Sequence, residues 1–166
     1  MKNLPKILAG SLKDSERIAV LGIGSELRAD DAAGLLVIAN IKNNPKTRKL
    51  PVSLKTFYGS TAPENLTGEI RKYKPTHIIM VDSIDAGKSP GSIVVIDPDN
   101  ISGASFSSHQ LPLKILVDYF LKLLACKVLI IGIQPKSLEF SGIVSKKTIQ
   151  SALRVSDALI SALQAP

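Results

Sequence analysis

The chain has 166 residues, enough for one domain with a substantial core. Apolar residues make up 45% and aromatics only 4%, so that core has to be built from Ile, Leu, Val and Ala. The formal charge is +7, but the basic residues are scattered and belong to no nucleic-acid motif; an acidic protein partner accounts for the charge as well, and nucleic acid is not expected. The apolar run from Ile115 to Ile133 is broken by Asp118, Lys122 and Lys127, so no membrane insertion is expected. The single cysteine, Cys126, cannot form an internal disulfide and reads as a small buried residue before a strand, in keeping with a reducing, cytoplasmic location.

Residues 1–15 carry lysines and a short apolar patch at Ile7 to Gly10, too short for a secretory signal. They are expected to form an N-terminal extension, a tail or short extra element, before a single domain over 16–166. Arg17 to Ile23 reads as a buried strand ending in Gly22-Ile23-Gly24. A helix is expected from about Asp31 to Ile41, stopped by Asn43, Asn44 and Pro45. Pro51 to Tyr58 alternates as a second strand, and Pro63 to Tyr73 suits a short helix. Thr76 to Val81 is a continuous apolar strand, stopped by Asp82.

A Gly, Pro and Ser-rich loop follows over Ser83 to Gly91, then a strand over Ser92 to Ile96. Residues 99–110 read as irregular, Leu111 to Leu124 as an apolar helix, and Lys127 to Ile133 as a strand. Ser145 can cap a last helix with Ile149, Ala152, Leu153, Leu159, Ile160 and Leu163 as its apolar positions. Strands alternating with helices, and strands apolar on both faces, imply an α/β fold with a mostly parallel sheet flanked by helices. Ligands of such sheets bind beyond the carboxyl ends of the strands.

Three places near strand ends and helix entrances carry candidate chemistry. Gly22-Ile23-Gly24 leads into Asp30-Asp31, but position 27 is Leu and no GK[ST] follows, so dinucleotide and P-loop fingerprints both fail. The aspartate pair reads either as an N-cap (Asp30) with a second acid at the positive helix end (Asp31), or as a source of a metal ligand. Asp82, directly after an apolar strand, has to be hydrogen-bonded or bind a cation. His109, in Ser108-His109-Gln110-Leu111-Pro112-Leu113, is a loop histidine at a helix start or a ligand suited to nickel or zinc. His77, at the start of a strand, reads as structural. Two carboxylates and one imidazole from separate segments would make a three-ligand site with open positions. No G-x-S-x-G elbow offers a competing nucleophile.

At these residues the chain resembles the [NiFe]-hydrogenase maturation endopeptidases, in particular the formate-hydrogenlyase (HycI-like) type. The resemblance runs from about Arg17 to Pro135. It is carried by GIGSELRADDAAG at 22–34, GSTAPEN at 59–65, VDSIDAGKSPG at 81–91, VIDPDNI at 95–101, SHQLPL at 108–113 and GIQP at 132–135. It implies a three-layer α/β sandwich with a twisted sheet, and a hydrolase, an endopeptidase whose recognition of its substrate depends on nickel. The implied substrate is the precursor of the hydrogenase large subunit, whose C-terminal extension is removed after nickel insertion. The nickel (Ni2+) is carried by that substrate, and the family's metal-binding residues fall on Asp31, Asp82 and His109. A monomer is expected.

Two departures stand out. Ser25 replaces the usual Asn after G-x-G, and Tyr58-Gly59-Ser60 stands where Asp-Gly-Gly is usual. A helper carboxylate is thus missing at position 58, and Asp85 is the candidate substitute. Ser60 to Asn65 and Ser83 to Gly91 are expected to form peptide-binding walls. The competing readings are a nickel-binding chaperone without peptidase activity, a nucleotide-binding module using Gly22 and Gly24, and a peptidase of the same fold acting on another precursor.

Overall fold

The computed structural model describes residues 4–98, 105–106 and 113–164, with the backbone alone for 105–106. Five strands lie in the order β2-β1-β3-β6-β4. These are β1 (Arg17–Ile23), β2 (Ser53–Ser60), β3 (His77–Asp85), β4 (Ile93–Ile96) and β6 (Lys127–Ile133). All neighbours are parallel except β4, which runs antiparallel to β6. A two-residue strand, β5 (Ser105–Phe106), adds antiparallel to Ile84 and Asp85 at the end of β3.

Strand alternation sorts the core into two halves. Ile18, Val20, Ile79, Val81, Ile131 and Ile133 face α1 (Leu4–Ser11), α2 (Ala33–Asn43) and α5 (Lys146–Gln164). Leu21, Ile23, Ile78, Met80 and Ile130 face α3 (Thr67–Tyr73) and α4 (Leu113–Leu124). The result is the expected α/β sandwich, helices on both faces of a mostly parallel sheet. Helix α1 is an integral part of the first half: Leu4, Leu8 and Leu12, four residues apart, are buried in the cluster that holds Val155 and Leu159 of α5.

Several boundaries shift for physical reasons. Strand β3 does not stop at Asp82; Asp82 and Ser83 still pair with Gly132 and Ile133 of β6, and β5 extends the pairing to Asp85. The entry to α2 is a 3-10 turn, Ala29–Ala32, and the helix proper begins at Ala33 with no side-chain cap. Ser145 does cap α5, its hydroxyl accepting the Thr148 N–H at 3.3 Å, a contact worth about 1 kcal/mol. The buried stripe of α5 runs through Ala152, Val155 and Leu159, whereas Ile149 and Leu153 face solvent. Among the described residues no helix is long and apolar enough to cross a membrane.

Candidate active site

The chain runs from β1 outward to β2 and then returns to β3 on the other side of β1. The sheet therefore changes direction between β1 and β3, and the crevice at their carboxyl ends is where such folds bind ligands. Asp31 lies in the turn that leaves β1, and Asp82 lies in β3 one residue beyond the Gly22–Val81 pair. The turn packs against β3. Two of the three sequence-nominated ligands are thus brought to one end of two adjacent strands.

Missing side chains make this approach possible. A Cβ on Gly34 would overlap the Val81 carbonyl oxygen and the backbone of Ile23, so α2 begins in direct backbone contact with β1 and β3. Gly24, at φ 133°, lies against the Asp31 carbonyl, and Gly22 lies against the Gly34 carbonyl and Ile38. These glycines serve protein packing, and their Cα faces are closed to a phosphate. The nucleotide-binding reading fails on that ground.

Asp31 is 1% exposed, and neither carboxylate oxygen has a hydrogen-bond partner among the described residues. A buried carboxylate in that state is costly and suits a site built to take a cation or a proton donor from beyond the described residues. Asp82 is fully buried, and its Oδ1 accepts the Ser83 N–H at 2.7 Å. By alternation its side chain shares the face of Met80 and Ile84. His109 lies outside the described residues. Among the described residues no group of three His, Cys, Asp or Glu side chains could hold a metal ion; the donor set of two buried carboxylates leaves room for a third ligand.

Asp30 is not an N-cap of α2. Its carboxylate reaches the segment after β6, accepting the N–H of Lys136 at 2.7 Å, the N–H of Ser145 at 2.6 Å and the Ser145 hydroxyl at 2.9 Å. Burial opposes its ionisation, but the Ser145 and Lys136 amides and the Ser145 and Thr148 hydroxyls outweigh burial and hold its pKa below the ordinary 3.8. This role has no signature in sequence, because its partners lie 106 and 115 residues away.

Asp85 is exposed and lies on the opposite face of β3 from Asp82. Its Oδ1 accepts the Gly87 N–H and the Gln134 side-chain amide, each at 3.1 Å, and these bonds lower its pKa. Gln134 holds the rest of that loop through Oε1, which accepts the N–H of Ala86 at 2.8 Å and of Lys88 at 3.1 Å. The expected wall over 83–91 is therefore a loop only from Ala86 onward. At the other expected wall, the Ser60 carbonyl accepts the Gly24 N–H at 3.0 Å, tying β2 to the turn after β1. Tyr58 is 42% exposed, with the Lys42 ammonium 4.5 Å from its ring centroid. Cys126 is buried, which pushes its thiol pKa up, as expected of an inert core residue.

The chain is similar to known hydrogenase maturation proteases in sequence and in fold. Residues 37–162 match the HycI family of hydrogenase maturation proteases, a span that includes positions 82 and 109 and begins after Asp31. The hydrogenase 3 maturation protease of Escherichia coli K12 is 35% identical over 122 residues, 73% of this chain and 74% of that protein. The crystal structure of the [NiFe] hydrogenase maturation protease HycI from Thermococcus kodakarensis superposes with a TM-score of 0.84 at 30% identity, over 96% of this chain and 99% of that one. The hydrogenase maturating endopeptidase HybD from E. coli gives 0.64 at 25% identity, over 83% and 88%.

Proposed function

Because the chain belongs to the hydrogenase maturation protease family, we propose that it removes the C-terminal extension of a [NiFe]-hydrogenase large-subunit precursor after nickel insertion, with Asp31, Asp82 and His109 reading the nickel. The observation that carries this reading is the Asp31 carboxylate, buried without a partner among the described residues where the sheet changes direction.

In this reading the nickel belongs to the substrate. Asp31 and Asp82 supply hard anionic oxygens and His109 a neutral imidazole, a mixed set that suits a divalent first-row metal. Their grip on loaded precursor holds the scissile amide at the site, and the main gain is positioning. Hydrolysis adds water across the C–N bond, leaving a carboxylate on the mature subunit and an amine on the released tail. Segments 60–65 and 86–91 flank the peptide. Asp85, the candidate substitute for a carboxylate at position 58, is exposed on the opposite face of β3 from Asp82 and held by Gly87 and Gln134, so the helper role is not assigned to it.

The test compares nickel-loaded with nickel-free precursor, following release of the tail by mass spectrometry. Only loaded precursor should be cut, and Asp82→Ala should abolish the cut. Equal cleavage of both forms, or full activity in Asp82→Ala, overturns the proposal. Tyr58 in place of a carboxylate favours one second reading, a chaperone that holds the loaded precursor uncut; binding of loaded precursor with no tail released at any enzyme concentration would select it.

A further inference from the structure

The two aspartates of the turn differ completely in their surroundings. Asp30 is 1% exposed, and both its oxygens accept hydrogen bonds from the segment 136–145. Asp31, equally buried, has no partner among the described residues. The same segment is strapped to the turn at further points. The Asp30 N–H donates to the Ser137 carbonyl at 3.1 Å, the Ser141 N–H to the Leu27 carbonyl at 2.7 Å, and Arg28 Nε to the Leu138 carbonyl at 3.2 Å.

Ala29, next to Asp30, is held at φ 39°, a left-handed conformation that a non-glycine residue keeps only when its surroundings enforce it. On the sheet side, Gly24 and Gly34 press the turn against β1 and β3. The turn is therefore clamped from two directions. The side chains of Arg28 and Asp30 both reach the outer clamp, and Asp30 is the one that joins the turn to the N-terminus of α5. In a 3-10 turn of four residues, fixing Asp30 fixes the backbone that carries Asp31.

We propose that Asp30 is a positioning residue. By binding the 136–145 strap and the Ser145 cap, it keeps the Asp31 carboxylate turned to the substrate metal and unsatisfied by the amides of the described residues. This rests on the reading of Asp31 given above. An amide cannot replace the carboxylate, because Asn would set its NH2 against the N–H of Lys136 or of Ser145.

The experiment measures tail release from nickel-loaded precursor for wild type, Asp30→Asn, Ser145→Ala and the core control Leu8→Ala. Each is assayed at a temperature where circular dichroism shows it folded. Asp30→Asn should raise KM about tenfold and Ser145→Ala should raise it less, since displacement of a gripping group weakens binding of the substrate. Leu8→Ala, less stable but remote from the turn, should keep the wild-type KM. A wild-type KM in folded Asp30→Asn, or an equal rise in Leu8→Ala, overturns the inference; if Asp30→Asn does not fold, an unchanged KM in Ser145→Ala overturns it. Wild type cutting nickel-free precursor equally well would instead sink the underlying reading of the site.

Discussion

Gly34, the second residue of α2, lies in backbone contact with Val81 of β3: a methyl group on Gly34 would overlap the Val81 carbonyl oxygen. The contact sets how closely the helix and its entry turn approach the strand that carries Asp82. It also predicts the response to the smallest possible enlargement. Gly34→Ala should destabilise the fold by about 3 kcal/mol, because the atoms in the way are backbone and cannot rotate aside. Urea unfolding measures this. A change within about 0.5 kcal/mol, the range of an ordinary surface substitution, would mean that the helix–strand approach is not fixed by this glycine.

Asp31→Ala separates stability from activity. A buried carboxylate without a partner among the described residues is a cost to the free protein, so its removal should leave stability unchanged or raise it by about 1 kcal/mol. Cleavage of loaded precursor should be lost in the same variant. A clear fall in melting temperature would show that Asp31 has a structural partner.

Gln134 is the organiser of the loop after β3. Its side chain accepts the amides of Ala86 and Lys88 and donates to Asp85. Gln134→Leu should cost about 2 kcal/mol, since two backbone donors lose their acceptor. Limited proteolysis should then cut first between residues 86 and 91; an unchanged cleavage pattern would show that the loop is held by other means.

His77, at the opposite end of β3 from the candidate site, predicts a pH dependence. It is 4% exposed, and burial followed by the charge of Lys127 lowers its pKa from 6.5, with Asp14 opposing weakly. With the folded pKa below the unfolded one, the unfolded chain binds the proton more tightly. The stability His77 contributes is complete above pH 6.5 and is lost as the pH falls through its folded pKa. Comparing wild type with His77→Gln by urea unfolding between about pH 7 and 5 should show a steeper loss in wild type. Parallel curves would show that His77 keeps its ordinary pKa in the fold.

Much of the architecture was legible in the chain. Arg17 to Ile23 and Lys127 to Ile133 are apolar runs bounded by glycine, proline or polar residues, and both strands have those limits. Local sequence does not mark a boundary where a long-range partner decides it. Asp82 looks like a strand terminator because an aspartate ends an apolar run, yet β6 and β5 continue to pair with the backbone beyond it. Ile149 and Leu153 look like core positions by spacing, but the buried face of α5 is set by α1 and α2.

What the sequence determined by itself was the alternation of strands and helices, the aliphatic core, and the nomination of Asp31, Asp82 and His109. These follow from local periodicity and from chemistry-bearing residues set at element ends, properties that neighbouring residues express without the rest of the chain. Only the tertiary structure decided that Asp31 and Asp82 lie at the same end of adjacent strands, where the sheet changes direction, that the glycines close against protein backbone, and that the two aspartates divide into a clamped one and one without a hydrogen-bond partner among the described residues. Those outcomes depend on strand order and on hydrogen bonds from Asp30 to residues 106 and 115 positions away. No local pattern encodes a partner that only the folded chain brings within 3 Å.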